Sequence, residues 1–346
     1  MEENTMKNQL TNSVIKLPFS PRRTFLRTMA ITSVGLIANA ASPSRVLGNS
    51  LKQESKKILG PRFSSETLVT TLYQSLSDKQ KTIVHFPFDH PLRSKVDNNW
   101  QITPVKIKDL FTSDQQMMIK EIFGGLHNPE YLDKVMKHMQ EDGNGLENYT
   151  IAIFGLPGSG KFEFVLTGRH CTMRCDGDSV EGSAFGGPIF YGHASQGFTE
   201  SPDHPGNVYW YQAKSANQVF QALDPKQRNI ALLKNAPAEQ GTQTVKLRRS
   251  VSELDGLPVE EMSSDQKNLV EKVLSDLLLP FRRKDALEAL KYIKKNGGFS
   301  GLTMSFYKNS DLGNDGIWDM WKLESDNMIW FFRGSPHVHV WVNVKA

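Results

Sequence analysis

The residues of this chain best suited to chemistry lie in Ser335-Pro-His337-Val-His339-Val-Trp341-Val-Asn343. An extended segment turns successive side chains to opposite faces, so His337, His339, Trp341 and Asn343 share one face and four valines take the other. The two imidazoles then start roughly 6.5–7 Å apart. Leaning inward brings their nitrogens to the ~2.1 Å that a transition metal requires. Two ligands leave such a site incomplete. His170, in Gly168-Arg-His-Cys-Thr, and His193, in Phe190-Tyr-Gly-His, fall in other strand-rich stretches and are predicted to complete it. Three or four imidazoles suit Zn²⁺, Cu²⁺ or Fe²⁺, with an open position for water or substrate. Asp176, Asp178 and Glu181 are the carboxylates expected to orient ligands or to act as a general base. The remaining histidines, His85, His90, His127, His138 and His204, sit in helical or loop contexts without partners at ligand spacing.

A contrasting expectation is a metal-free ligand-binding or structural protein of the cell envelope. Its histidines would be polar core, and its aromatic strands would line a groove for a small molecule. Imidazoles more than about 10 Å apart would decide for that reading, because N–metal bonds near 2 Å cannot span the gap.

Other motifs carry less. Gly155-Leu-Pro-Gly-Ser-Gly160-Lys161-Phe162 matches a phosphate-binding loop except at its last position, where Phe162 replaces the hydroxyl that holds Mg²⁺. Phe162, Phe164 and Leu166 continue with period two, so the segment reads as a glycine-rich hairpin loop. Gly192-His-Ala-Ser195-Gln-Gly197 has one residue too many before its serine for a nucleophile elbow. Asp176-Gly-Asp178 with Glu181 lacks the full ligand series of a calcium loop and reads as a polar turn. Tyr209-Trp210-Tyr211 reads as strand-borne core rather than a sugar platform.

The elements that must position these residues are of both kinds. Capping boxes at Ser77/Gln80, Ser113/Gln116, Asp224/Gln227 and Ser263/Gln266 mark helix starts, and Asn128-Pro129 marks another. Strands are predicted over 149–154, 161–166, 169–175, 188–191, 208–212, 301–307, 316–323, 327–333 and 336–344. Helices are predicted over 215–233, 264–279 and 282–295, and Asn314-Asp315-Gly316 is a turn signal. Helices clustered apart from antiparallel strands give an α+β class, with one α+β domain over 63–346. Cys171 and Cys175 are four apart on a predicted strand, about 13 Å between Cα atoms. That is too far for a disulfide, so both are expected free and buried.

The first forty residues read as an export signal. Ser20-Pro-Arg22-Arg23-Thr-Phe25-Leu26-Arg27 precedes an apolar run over Met29 to Ala41, and Ala38-Asn-Ala40 offers a small-x-small cleavage site. The expected partners are the twin-arginine export machinery and a signal peptidase, cutting after Ala40. The expected location is periplasmic or extracellular, with no stable membrane anchor, since the run is far short of the roughly 20 residues that span a bilayer. Residues 41–62 read as a flexible lead-in. Removing residues 1–40 takes away five bases and two acids and brings the formal charge from +4 to +1. A nearly neutral remainder has no footprint for nucleic acid.

Gly168-Arg-His170, Phe185-Gly-Gly-Pro-Ile-Phe-Tyr-Gly-His193, the helix start with Gln227 and the His337-x-His339 pair together resemble a bacterial family catalogued as domain of unknown function 3500. The resemblance runs from about residue 64 to the end. Members of that family often carry two adjacent histidines where this chain has Arg169-His170, and a pair that His337 and His339 match. The arginine removes one potential ligand. The resemblance implies no activity, only that these histidine segments belong to one architecture.

Overall fold

The computed structural model describes residues 63–346 except 202–203, 249, 296, 310 and 312–315. The export signal, the lead-in and the Asn314-Asp315 turn lie outside the described residues.

Helices open the described chain: α1 (Ser65–Ser75), α2 (Asp78–Val84), the single turn α3 (Ile107–Leu110), α4 (Ser113–Gly125) and α5 (Pro129–Gly143). Later come α6 (Trp210–Ala222), α7 (Pro225–Ala231), α8 (Ser264–Leu278) and α9 (Arg283–Lys295). Ser77, Asp224 and Ser263 close full capping boxes with Gln80, Gln227 and Gln266. The fourth box is shifted by one residue: Thr112, not Ser113, caps α4, with Gln115 reaching back. The shift has a packing reason. Gln115 is buried and its amide also donates to Ser75 O at 3.0 Å, fastening α4 to the end of α1.

The strands are β1 (His85–Phe86), β2 (Thr150–Gly155), β3 (Phe162–Gly168), β4 (Cys171–Cys175), β5 (Ile189–His193), β6 (Leu232–Leu233), β7 (Leu257–Pro258), β8 (Thr303–Tyr307), β9 (Met320–Glu324), β10 (Met328–Arg333) and β11 (Val338–Val344). They form one mostly antiparallel sheet in the order β1-β2-β3-β4-β5-β11-β10-β9-β8-β6, with β7 on β8. The α+β class follows from this sheet and the separate helices. The glycine-rich segment after β2 is a hairpin loop, closed by the Gly155–Phe162 pair. The predicted strand at 208–212 is instead the start of α6, with Tyr209 as its N-cap. The aromatic run suggested β structure, but Tyr209 and Trp210 are buried in the core beneath the sheet and leave no edge to pair.

Alternation along the central strands separates two cores. Val338, Val340, Val342 and Val344 of β11 join Tyr191 of β5 and Trp330 of β10 in the large helix-covered core. Phe190, Phe331 and Trp341 face the other way, into a smaller core covered by the segments that contribute Val96 and Val245, the latter at the end of a short 3-10 helix. Cys171 and Cys175 are free and buried on the helix side of β4, and burial pushes both thiols well above their ordinary range.

Two buried imidazoles on the helical side make stability depend on pH. His127, after α4, holds Phe123 O at 2.8 Å through Nδ1, and its pKa is lowered to about 4 by burial. His138 on α5 is lowered to about 3, by burial first and then by its neighbour His193. Below the ordinary value of 6.5 the unfolded chain takes up protons that the folded chain refuses, so stability falls as pH drops and is unaffected above about 7. At pH 5 each histidine costs about 2 kcal/mol. Asp285 acts oppositely. Burial raises its carboxyl to about 6, so the folded chain binds that proton first and recovers about 1 kcal/mol. In urea unfolding, His127→Leu should lose about 2 kcal/mol less than the wild type between pH 7 and pH 5. An equal loss in the two proteins would contradict neutral burial of this ring.

Candidate functional site

Three of the four predicted ligands come together. His170, His337 and His339 are all buried, and one ligand nitrogen of each lies within 4.8 Å of those of the other two. Their rings are 4.7 to 5.0 Å apart, centroid to centroid.

His193 is not among them. In the antiparallel register of β5 with β11, His193 pairs with Val338 and Gly192 with His339. Paired residues point to the same face, so His193 turns to the helix-covered side with the valines, while His339 turns to the side of Phe190 and Trp341. On its own side His193 meets Glu200 and His204, a second group of three potential ligands. His204 thus has partners that spacing along the chain did not suggest.

Each ring of the first group reaches its place by a specific device. His337 immediately precedes β11 and His339 lies within it. His170 is the second residue of the two-residue connection between β3 and β4, in the left-handed region at φ 51°. That conformation costs a non-glycine residue roughly 1 kcal/mol, and it is held from several sides. The backbone N–H of His170 donates to Asn98 O at 2.9 Å, and the Tyr149 hydroxyl donates to Arg169 O at 2.7 Å. Gly192, opposite His339, leaves the room His170 fills: a Cβ there would stand 3.3 Å from the His170 Cβ.

The outer nitrogen of each ring has an acceptor. Nδ1 of His170 bonds a carboxylate oxygen of Asp142, one residue before the end of α5. Nδ1 of His337 lies 2.6 Å from the carbonyl oxygen of Phe198, and Nδ1 of His339 lies 3.0 Å from both oxygens of Glu239. Carboxylates and carbonyls only accept, so all three Nδ1 atoms carry the proton and all three lone pairs sit on Nε2. Nε2 of His337 and Nε2 of His339 then face each other at 3.0 Å. Burial, the largest cause in both, lowers the pKa of His337 and holds that of His339 well below its ordinary value, which disfavours a proton between them. Two facing lone pairs at that distance repel unless a cation sits between them. Metal-bound histidines commonly show this pattern of Nδ1–H to an acceptor with Nε2 free.

The carboxylates are themselves fixed. Asp142 also takes the Nε–H of Arg169 at 2.6 Å. Burial works against its charge, but the His170 and Arg169 contacts hold its carboxyl far below the usual range. Arg169, which replaces the histidine expected at that place in the family resemblance, is therefore a support for Asp142. Glu239 accepts Arg333 Nη1 at 2.6 Å and the indole N–H of Trp341. Burial nevertheless raises its pKa, with Arg333 acting in the opposite direction. Arg333 Nη2 also stands 3.5 Å from His337 Nε2, giving the site a cationic edge.

The carboxylates picked out by sequence lie elsewhere. Asp176 follows the far end of β4, about 20 Å of extended chain from His170. It accepts the backbone N–H of Val180 at 2.8 Å, and Asp178 pairs with Lys284 at 2.9 Å. They form the polar turn that the sequence suggests, and the carboxylates in contact with the rings are Asp142 and Glu239. A cleft of about 530 Å³ opens between β9–β10 and the 237–248 segment, near Glu239 in the chain but not lined by the histidines.

Comparison with known proteins adds a family and no activity. The family model described as "Protein of unknown function (DUF3500)" matches residues 64–326. No curated protein matches the chain, and no solved structure does. Among the described residues no helix is long and apolar enough to cross a membrane.

Proposed function

We propose, for a chain that belongs to the DUF3500 family, that it binds one transition-metal ion through Nε2 of His170, His337 and His339. The observation that carries this reading is the orientation of the three rings. Each turns its Nδ1 to an acceptor, and two Nε2 lone pairs are left 3.0 Å apart. Two bonds of ~2.1 Å to nitrogens at that separation enclose about 90°, an angle suited to three ligands on one face of a five- or six-coordinate ion. Positions opposite the three rings would remain open for water or a substrate, as catalytic metal centres require. Neutral imidazoles suit zinc, copper or iron alike. Arg333 beside the rings favours an anionic or carbonyl-bearing ligand on the ion.

The sequence supports delivery of this chain out of the cytoplasm by the twin-arginine route, which carries cargo folded around its cofactors. A site assembled from α5, the β3–β4 connection, β11 and the 233–247 segment, as this one is, needs the whole fold before it can hold an ion.

Titration of the metal-free protein with Co²⁺ tests the proposal. One saturable equivalent is expected, with visible d–d absorption and displacement by Zn²⁺. Absence of saturable binding, or binding unchanged in His339→Ala, would overturn it.

A further inference from the structure

On the opposite face of β5 from the three-histidine group, a second constellation has an order of its own. Ser195 Oγ lies 3.0 Å from His193 Nε2, and Glu200 Oε2 lies 2.6 Å from His193 Nδ1. The carboxylate accepts, so Nδ1 carries the proton, the lone pair is on Nε2, and the Ser195 hydroxyl donates to it. This is the sequence hydroxyl, base, orienting carboxylate that activates a serine on unrelated folds.

The supporting contacts bind the carboxylate to this task. Glu200 Oε1 accepts the backbone N–H of Gln196 at 2.9 Å, and the Glu200 backbone N–H is fixed on Pro336 O at 2.9 Å. His204 Nδ1 accepts the Gly206 N–H at 3.1 Å, so its Nε2 carries a proton, 3.4 Å from Glu200 Oε1. With protons on the two ring nitrogens that face Glu200, His193 and His204 offer a cation no pair of lone pairs there, and His193 alone hydrogen-bonds the carboxylate. His138 stacks on the other side of His193, with ring centroids 4.6 Å apart and planes 19° from parallel. His193 and Glu200 are buried while Ser195 is half-buried, so the serine is the member of the set that reaches solvent. Phe198, three residues further on and 76% exposed, turns its ring instead to His337, with centroids 5.4 Å apart.

We infer that Ser195 is a nucleophile toward carboxylic esters, with His193 as its general base and Glu200 as a positioning residue. Ser195 Oγ bonds the ester carbonyl carbon as its proton passes to His193 Nε2. The tetrahedral adduct expels the alcohol oxygen, which takes that proton, leaving the acyl group on Ser195. Water then attacks the acyl carbon, giving a proton to His193. The C–Oγ bond breaks, the serine is reprotonated, and a carboxylic acid leaves. The balance is ester plus water to alcohol plus acid.

The same loop holds His337 through the Phe198 carbonyl, so the test must separate the two sites. The full chain, treated with chelator and dialysed, is exposed to diisopropyl fluorophosphate and the adduct located by peptide mass spectrometry. Stoichiometric labelling of Ser195 is expected, absent in Ser195→Ala and slowed by about 10³-fold in His193→Gln, as removal of a general base requires. A burst of p-nitrophenol from p-nitrophenyl butyrate should follow the same pattern. No label, a label on another serine, or an unchanged rate in folded His193→Gln would overturn the inference. Should His193→Gln fail to fold, the comparison of wild type with Ser195→Ala decides, since that change removes one hydroxyl from a half-buried loop. Labelling of chelated protein does not depend on the metal proposal, and Co²⁺ titration does not depend on Ser195, so each idea can fail alone.

Discussion

Changing His337 and His339 together to alanine should lower the affinity for Zn²⁺ or Co²⁺ by about 10⁴-fold. The magnitude follows from the 10–16 kcal/mol of a four-ligand zinc site, which makes each imidazole worth roughly 3 kcal/mol and two of them about 10⁴ in binding. Glu239→Gln should act through the same centre more gently, by about 10- to 100-fold, because it weakens the acceptor that holds the His339 tautomer without removing a ligand. Competition against a chromophoric chelator measures both. Equal affinities in wild type and the double variant would mean that the ion binds elsewhere or not at all. A larger loss in Glu239→Gln than in the double variant would mean that Glu239 is itself the principal ligand.

Arg174→Leu should destabilise the protein by about 3–5 kcal/mol, the usual consequence of leaving one member of a buried ion pair alone. Arg174 on β4 and Glu163 on β3 have fully buried side chains and meet at 2.6 Å, with Arg93 joining Glu163 at 2.9 Å. Arg174 also donates to the carbonyls of Lys95 and Pro188, at 2.7 and 2.6 Å. It thereby fastens to the sheet the segment whose Asn98 carbonyl holds His170 in its left-handed conformation. Burial raises the pKa of Glu163 despite two arginines, which shows how much the carboxylate depends on them. The double change Glu163→Leu with Arg174→Leu should be less damaging than Arg174→Leu alone, since it removes the stranded charge. Urea midpoints give the comparison. A single variant within 1 kcal/mol of wild type would contradict the structural role assigned to the pair.

Much of the scaffold was legible because it obeys short-range rules. Alternation identified β11 and placed its valines opposite its histidines, and three capping boxes marked helices at the expected residues. Where short-range rules compete, tertiary contacts decided. Thr112 and Ser113 both suit an N-cap, and the burial of Gln115 selected Thr112. Tyr209-Trp210-Tyr211 has strand-like composition but starts a helix under the sheet.

The site was legible only in part for the same reason. His337 and His339 are two residues apart, within reach of a periodicity argument. Asp142 is 28 residues from His170 and Glu239 is 100 from His339, and nothing local joins them. The sequence does carry one pointer to Asp142: it sits where α5 stops, before Gly143 and Gly145, at a helix end where the chain turns back. The placement of His193 depended on register. A shift of one residue between β5 and β11 would have carried it to the other face, and no single sequence reveals that register.

In the proposed centre the three Nε2 atoms enclose a metal ion. Elemental analysis of the intact protein, purified from its own host without chelator or added metal, tests it most directly. About one transition-metal ion per chain is expected in the wild type, and less than about a tenth of that in His337→Ala with His339→Ala. A wild-type protein that is folded and free of transition metal, or a double variant that keeps the full complement, would contradict it.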